Sequence, residues 1–189
     1  EIIKNNPDVI VIVDEAYIDF GGETALPLID KYDNLVVVRT FSKSRSMAGL
    51  RIGYAISNPE LIKALNDVKY SYNSYTMNRP SLVLGVESIH DDAYFREKVG
   101  QIIATRERFV KEIAELGFTC LPSSANFVFA THESIPAKEI FAAAKENNIY
   151  VRYFDKPRID NYLRISIGTD AEMDTFVAFL KGYVETKQN

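Results

Sequence analysis

The sequence predicts an α/β protein with a mainly parallel sheet, followed by a small α/β region at the carboxyl end. Two apolar runs predict the first part. Val9-Ile10-Val11-Ile12-Val13 and Leu35-Val36-Val37-Val38 lack polar alternation, the pattern of parallel strands covered on both faces. Between them, residues 26–32 are long enough for the short helical crossover that a right-handed βαβ unit needs. The second part is predicted by the last third of the chain, where short apolar strands alternate with helix-spaced runs, a two-layer pattern.

The elements follow in order. Residues 1–8 read as the end of a helix and a turn feeding the first strand. No strand precedes that one to pair with it, and the chain lacks an initiator Met, so it is expected to be a piece of a longer protein. A third strand is expected over residues 51–56. Asn58 then caps a helix with Pro59 in its first position and Leu61, Ile62, Leu65 and Val68 at helical spacing. Residues 71–77, rich in Tyr, Asn and Ser, read as a loop. Pro80 opens a helix to Ile89. A long helix runs from Asp91-Asp92 to Leu116 and is stopped by Gly117. Strands are expected at 127–129, 149–153 and 162–167, with a helix over 136–147 and a last helix capped by Asp170 and reaching about Val184. The best division falls near residue 90: a partial large domain over 1–90 and a small carboxyl-terminal domain over 91–189.

Composition narrows the function. The 47% of hydrophobic residues against 25% charged describes a folded globular chain rather than a disordered one. A net charge of −4 with both signs interspersed gives no basis for a nucleic-acid partner. No apolar run approaches the length that crosses a bilayer, so no membrane partner is expected. The single cysteine, Cys120, excludes an internal disulfide, suits a reducing cytoplasm and is expected as a buried thiol.

Chemistry gathers where the apolar runs end. In open α/β sheets ligands sit beyond the carboxyl ends of parallel strands. The first run ends in Asp14-Glu15-Ala16-Tyr17, the second in Arg39-Thr40-Phe41-Ser42-Lys43, with Arg51 eight residues after the lysine. Thr40 and Ser42 lie on one side of an extended segment, two hydroxyls for a phosphate. Arg51 offers a fork-shaped, charge-assisted contact to the same group, with Gly49 before it expected to permit a tight backbone path. Lys43 is the one obvious amine and can form an imine. Asp14 suits a pyridine nitrogen, which a carboxylate keeps protonated, and Tyr17 suits the phenolic oxygen of the same ring. Arg164 lies opposite Leu163, Ile165 and Ile167 on its strand and can clamp a carboxylate or phosphate. This equipment fits pyridoxal 5'-phosphate. Taken singly, each residue has a plainer role: a turn Asp, a solvated Ser-Lys loop, a surface ion pair, a packing Tyr. The order and spacing of the set is what points to the cofactor. No Gly-x-Ser-x-Gly elbow, Walker loop or metal-ligand spacing offers a competing site.

The motifs Asp14-Glu15-Ala16-Tyr17-Ile18-Asp19-Phe20, Arg39 to Lys43 and Met47-Ala48-Gly49-Leu50-Arg51-Ile52-Gly53-Tyr54 resemble the fold-type I pyridoxal-phosphate aminotransferases, most closely the histidinol-phosphate aminotransferase family. The similarity continues through Tyr72-Asn73, Asn126-Phe127 and residues 162–169. It implies that Lys43 carries the cofactor and shuttles a proton. Asp14, Tyr17, Thr40, Ser42 and Arg51 would bind the cofactor, and Arg164 and Arg152 the anionic groups of the substrates. It further implies a cytoplasmic homodimer in histidine biosynthesis, working on a small-molecule amino donor and a 2-oxo-acid acceptor. Ser71 and Tyr75 depart from the family pattern, which keeps an aromatic substrate open. A phosphothreonine decarboxylase relative is a second enzymatic reading, against which Tyr17 speaks, and a truncated cofactor-binding module is a non-enzymatic one. The glycine-rich loop and ring-supporting Asn of the family's amino-terminal half are not in this sequence, so the chain alone is expected to be inactive.

Overall fold

The computed structural model describes residues 1–188. The chain divides into two compact units, Glu1–Glu97 and the segment from Lys98 onward, with the division inside one long helix.

The first unit opens with a helical turn, α1 (Ile2–Asn5), and carries a three-stranded sheet of β1 (Val11–Asp14), β2 (Leu35–Thr40) and β3 (Gly53–Ile56), in that spatial order. β1 and β2 are parallel, with Val11 opposite Leu35 and Asp14 opposite Val38; β3 runs antiparallel to β2, with Thr40 opposite Gly53. The expected crossover is a 3-10 helix, Leu26–Lys31. The central strand is buried as its apolar run requires: Leu35, Val36 and Val37 are buried, as are Phe20, Phe41 and Ile52 of the same unit. β1 departs from expectation. Ile10 and Ile12 are more than half exposed, because β1 is the edge of the sheet and is not covered on both faces.

α2 (Pro59–Tyr72) starts as predicted, with Asn58 Oδ1 accepting from the Leu61 amide at 3.0 Å, but absorbs two residues assigned to a loop. α3 (Arg79–His90) is capped in the same way, Asn78 Oδ1 accepting from the Ser81 amide. α4 (Asp92–Ala114) ends just before Gly117, whose φ of 84° makes the left-handed reversal that its sequence position called for.

The second unit holds β4 (Phe118–Cys120), β5 (Phe127–His132), α5 (Ala137–Glu146), β6 (Arg152–Tyr153), β7 (Leu163–Ser166) and α6 (Asp170–Gln188). Its sheet is antiparallel throughout, in the order β4-β5-β7-β6. Val128 and Ala130 of β5 and Leu163 and Ile165 of β7 face a core completed by Phe109, Ile113, Ile140 and Leu180 from the helices. Buried His132 fastens the turn after β5. Its Nε2–H donates to the Leu116 carbonyl at 2.9 Å while Nδ1 accepts from the amides of Ser134 and Ile135.

Three expectations are corrected here. The strand predicted from Ile149 is only Arg152–Tyr153. The preceding residues close α5: the Ile149 amide reaches the Ala144 carbonyl and the Asn148 amide the Lys145 carbonyl, with Asn148 left-handed at φ 60°, a Schellman motif. The last helix is capped by Thr169, not Asp170. Thr169 Oγ1 accepts from the Glu172 amide and Glu172 Oε2 accepts from the Thr169 amide at 2.7 Å, a capping box. Asp170 instead accepts from Thr105 Oγ1 and from Arg108, joining α6 to α4. Cys120 is half-buried on the short strand β4, and the burial pushes its thiol up to about 11.

Candidate functional site

The carboxyl ends of β1 and β2 and the start of β3 lie side by side, and they carry the residues singled out in the sequence. The β1–β2 ladder closes with the Glu15 amide donating to the Val38 carbonyl at 2.9 Å, after which both chains leave the sheet. Asp14 turns sharply there: its Oδ1 accepts from the Ala16 amide at 2.9 Å, an Asx turn that swings the following residues round toward Tyr17. On β2, Thr40 Oγ1 donates to the Ile52 carbonyl at 3.2 Å and accepts from the Ser42 amide at 3.0 Å. Thr40 therefore builds the turn, and its proton is used by the backbone. The Phe41 amide reaches the same Ile52 carbonyl, which pins the residue after Arg51 against the Thr40 segment.

Lys43 stands exposed on this turn, its Nζ 5.3 Å from the centre of the Tyr17 ring, so the amine and the phenol are brought together. Its neighbours are anchored. Buried Ser44 donates to Asp19 Oδ2 at 2.5 Å. Arg45 donates to the Ser88 carbonyl and lays its guanidinium 4.1 Å from the Phe95 ring centre. An exposed amine on a fastened loop is what reversible imine chemistry needs.

Arg51 is in the left-handed region at φ 56°, and its guanidinium donates to the Ala48 carbonyl at 2.9 Å. The tight path expected at Gly49 is not there: a Cβ on Gly49 would meet nothing within 4 Å. The positive φ falls on Arg51 and Ser46 instead.

In the second unit, Arg164 and Arg152 are directly opposite each other across the β7–β6 ladder. They share the face that turns away from Leu163 and Ile165. Arg164 lies 5.3 Å from the Phe127 ring centre, and its buried Nε has no hydrogen-bond partner. Phe129 and Tyr162 stack beside them at 4.6 Å. Like charges opposed across a ladder repel, so this face is prepared for an anion.

Reasoning from sequence alone missed the group behind Asp14. Glu15 is buried and accepts from Arg39 Nε at 2.9 Å and Nη2 at 2.8 Å, from the Ala25 amide at 2.6 Å and from Thr24 Oγ1 at 2.9 Å. Burial opposes its charge, but the bonds from Ala25, Arg39 and Thr24 outweigh that and hold the carboxyl below its ordinary range. Arg39 is likewise disfavoured by burial, and Glu15 and Tyr54 more than compensate.

The donor set of the first unit fits pyridoxal phosphate: a carboxylate, a phenol, an amine, a hydroxyl and a guanidinium at one end of one sheet. Comparison with known proteins identifies the family. The chain matches the family model for aminotransferase class I and II over residues 1–180. The histidinol-phosphate aminotransferase of Brachyspira hyodysenteriae is 53% identical over 182 residues, 96% of this chain and 51% of that protein. The crystal structure of histidinol-phosphate aminotransferase from Clostridium acetobutylicum matches with a TM-score of 0.88 at 26% identity, covering 98% of this chain and 57% of the other. The enzyme of that name from Sinorhizobium meliloti, in complex with pyridoxal-5'-phosphate, matches with a TM-score of 0.79 at 28% identity, over 94% of this chain and 49% of its own. The chain thus spans about half the length of the curated relatives it matches. With strand ends, turn and family match in agreement, it belongs to the class I and II aminotransferases.

Proposed function

We propose that the protein containing this chain is a pyridoxal-phosphate-dependent aminotransferase of histidine biosynthesis, moving an amino group between histidinol phosphate and 2-oxoglutarate. One observation carries the reading: Asp14, Tyr17, Thr40, Ser42, Lys43 and Arg51 meet at one end of a single sheet. The names and identity of the relatives support the substrate.

Bound there, pyridoxal phosphate supplies an aldehyde that condenses with amines and a protonated ring that accepts the electrons of a carbanion. Lys43 presents the amine and holds the travelling proton at Nζ. Asp14 places its carboxylate for a ring nitrogen and Tyr17 its hydroxyl for a phenolic oxygen. Ser42 and Arg51 grip the phosphate, with Thr40 shaping their turn. Arg164 and Arg152 orient the anionic group of the substrate. The large and small domains divide near residue 90, and the protein works as a cytoplasmic homodimer.

The test begins with pyridoxal phosphate added to the full natural protein. A visible absorption band should appear and be lost in Lys43→Ala; a band that persists in the variant rules out the lysine. Half-reactions with glutamate, histidinol phosphate and phosphothreonine then decide the substrate. Carbon dioxide release from phosphothreonine without amino transfer to an oxo acid would replace this reading with the decarboxylase. The 189-residue chain alone should show negligible turnover in the same assay.

A further inference from the structure

The Glu15–Arg39 pair lies where backbone pairing stops. Asp14 is opposite Val38, so in parallel register Glu15 falls beside Arg39 on the sheet face opposite Asp14 and Thr40. Beyond the bond from the Glu15 amide to Val38, no ladder fixes one chain against the other. The next contact between these two strand ends is the ion pair, with Thr24 as a bridge. Thr24 Oγ1 donates to the Glu15 carboxylate and accepts from Arg39 Nη2 at 2.9 Å.

Burying such a pair is a poor way to gain stability. Desolvation offsets most of the attraction, and apolar residues of similar volume often stabilise as well or better. What the pair does supply is a fixed geometry. Glu15 is the residue after Asp14 and two before Tyr17, and Arg39 is the residue before Thr40. Their Oε2–Nη2 contact of 2.8 Å therefore sets how far the carboxylate segment stands from the phosphate-and-amine segment.

We propose that Glu15 and Arg39, bridged by Thr24, are positioning residues: they hold Asp14 and the Thr40–Lys43 turn at the spacing the cofactor spans, without touching it. The inference rests on the cofactor reading above. Because the pair acts through Asp14, its loss and the loss of the Asp14 charge should overlap rather than multiply.

The experiment measures the Kd for pyridoxal phosphate in the full natural protein as wild type, Asp14→Asn, Glu15→Gln and the double variant, with the Tm of each apoprotein recorded. Glu15→Gln should weaken binding by about tenfold or more, and the double variant should bind no worse than the weaker single variant. The pH midpoint of the visible band should move in the same direction in both single variants, which lost fold stability alone would not produce. An unchanged Kd in Glu15→Gln, or losses that multiply, would overturn the proposal. If Glu15→Gln does not fold, Thr24→Val removes the bridge and leaves both charges, and enters the same cycle with the same criterion. Absence of Lys43-dependent binding in the wild-type protein would instead overturn the cofactor reading, and this inference with it.

Discussion

The second unit encloses its apolar residues. Strands β5 and β7 turn Val128, Ala130, Leu163 and Ile165 onto three helices, and among the described residues only Leu121 and Tyr150 are large hydrophobic side chains left substantially in water. The first unit has a comparable supply of apolar residues and a different result. Its core is one strand deep. Val9, Ile10 and Ile12 at the sheet edge, Leu65 and Val68 on α2, and Leu82, Val83, Leu84, Val86 and Ile89 around α3 are all exposed. Periodicity in sequence thus fixes which residues are available for burial. Whether they are buried depends on what lies opposite, and among the described residues only the second unit carries its own cover.

That contrast can be broken by mutation. In the 189-residue chain, Phe109→Ala should cost about 3–5 kcal/mol by emptying a closed core, whereas Val86→Ala on α3 should change stability by no more than about 0.5 kcal/mol. Equal effects in urea unfolding would dissolve the distinction between the units. Thr169→Ala removes the capping box of α6 and should cost about 1 kcal/mol, read as a lower urea midpoint with an unchanged slope. Arg152→Gln relieves the repulsion with Arg164 and should stabilise the apoprotein by roughly 0.2–1 kcal/mol. In the same variant the rise in Tm given by inorganic phosphate should shrink. A fall in stability without phosphate would show that the two arginines do not oppose each other.

The smallest effect concerns acid. The Glu15 carboxyl titrates below its ordinary value of 4.5 in the folded chain. Its contribution is therefore complete above that value and is lost as pH falls through the lower, folded value. Glu15→Gln should flatten the acid limb of the stability–pH curve below about 4.5 and leave the slope near neutrality unchanged. An identical acid limb in both proteins would mean that the pair contributes nothing to folding.

What was legible in the sequence was local. The Leu35 run, the Asn58-Pro59 start and the Gly117 stop each declare themselves within a few residues, and each is where it was expected. The strands of residues 118–120 and 152–153 are too short for a period to register, and the second loses its predicted start to the cap of α5. The site followed the same rule. Asp14, Lys43 and Arg51 are readable because they sit beside apolar runs, while the Glu15–Arg39 contact joins residues 24 apart and exists only once the two strands are paired. At Gly49 the nearest glycine received a conformational role that the structure gives to an arginine.

Arg51 makes two demands of one position. A left-handed backbone costs a residue with a Cβ roughly 1–2 kcal/mol, which glycine would not incur, yet glycine has no guanidinium. Given the role proposed for its guanidinium, Arg51→Gly should therefore give a chain that melts later and holds phosphate less well. Selection for heat resistance alone would drift toward that glycine, and selection for cofactor retention would restore the arginine. The position is a simple place to watch the two pressures compete within a single codon.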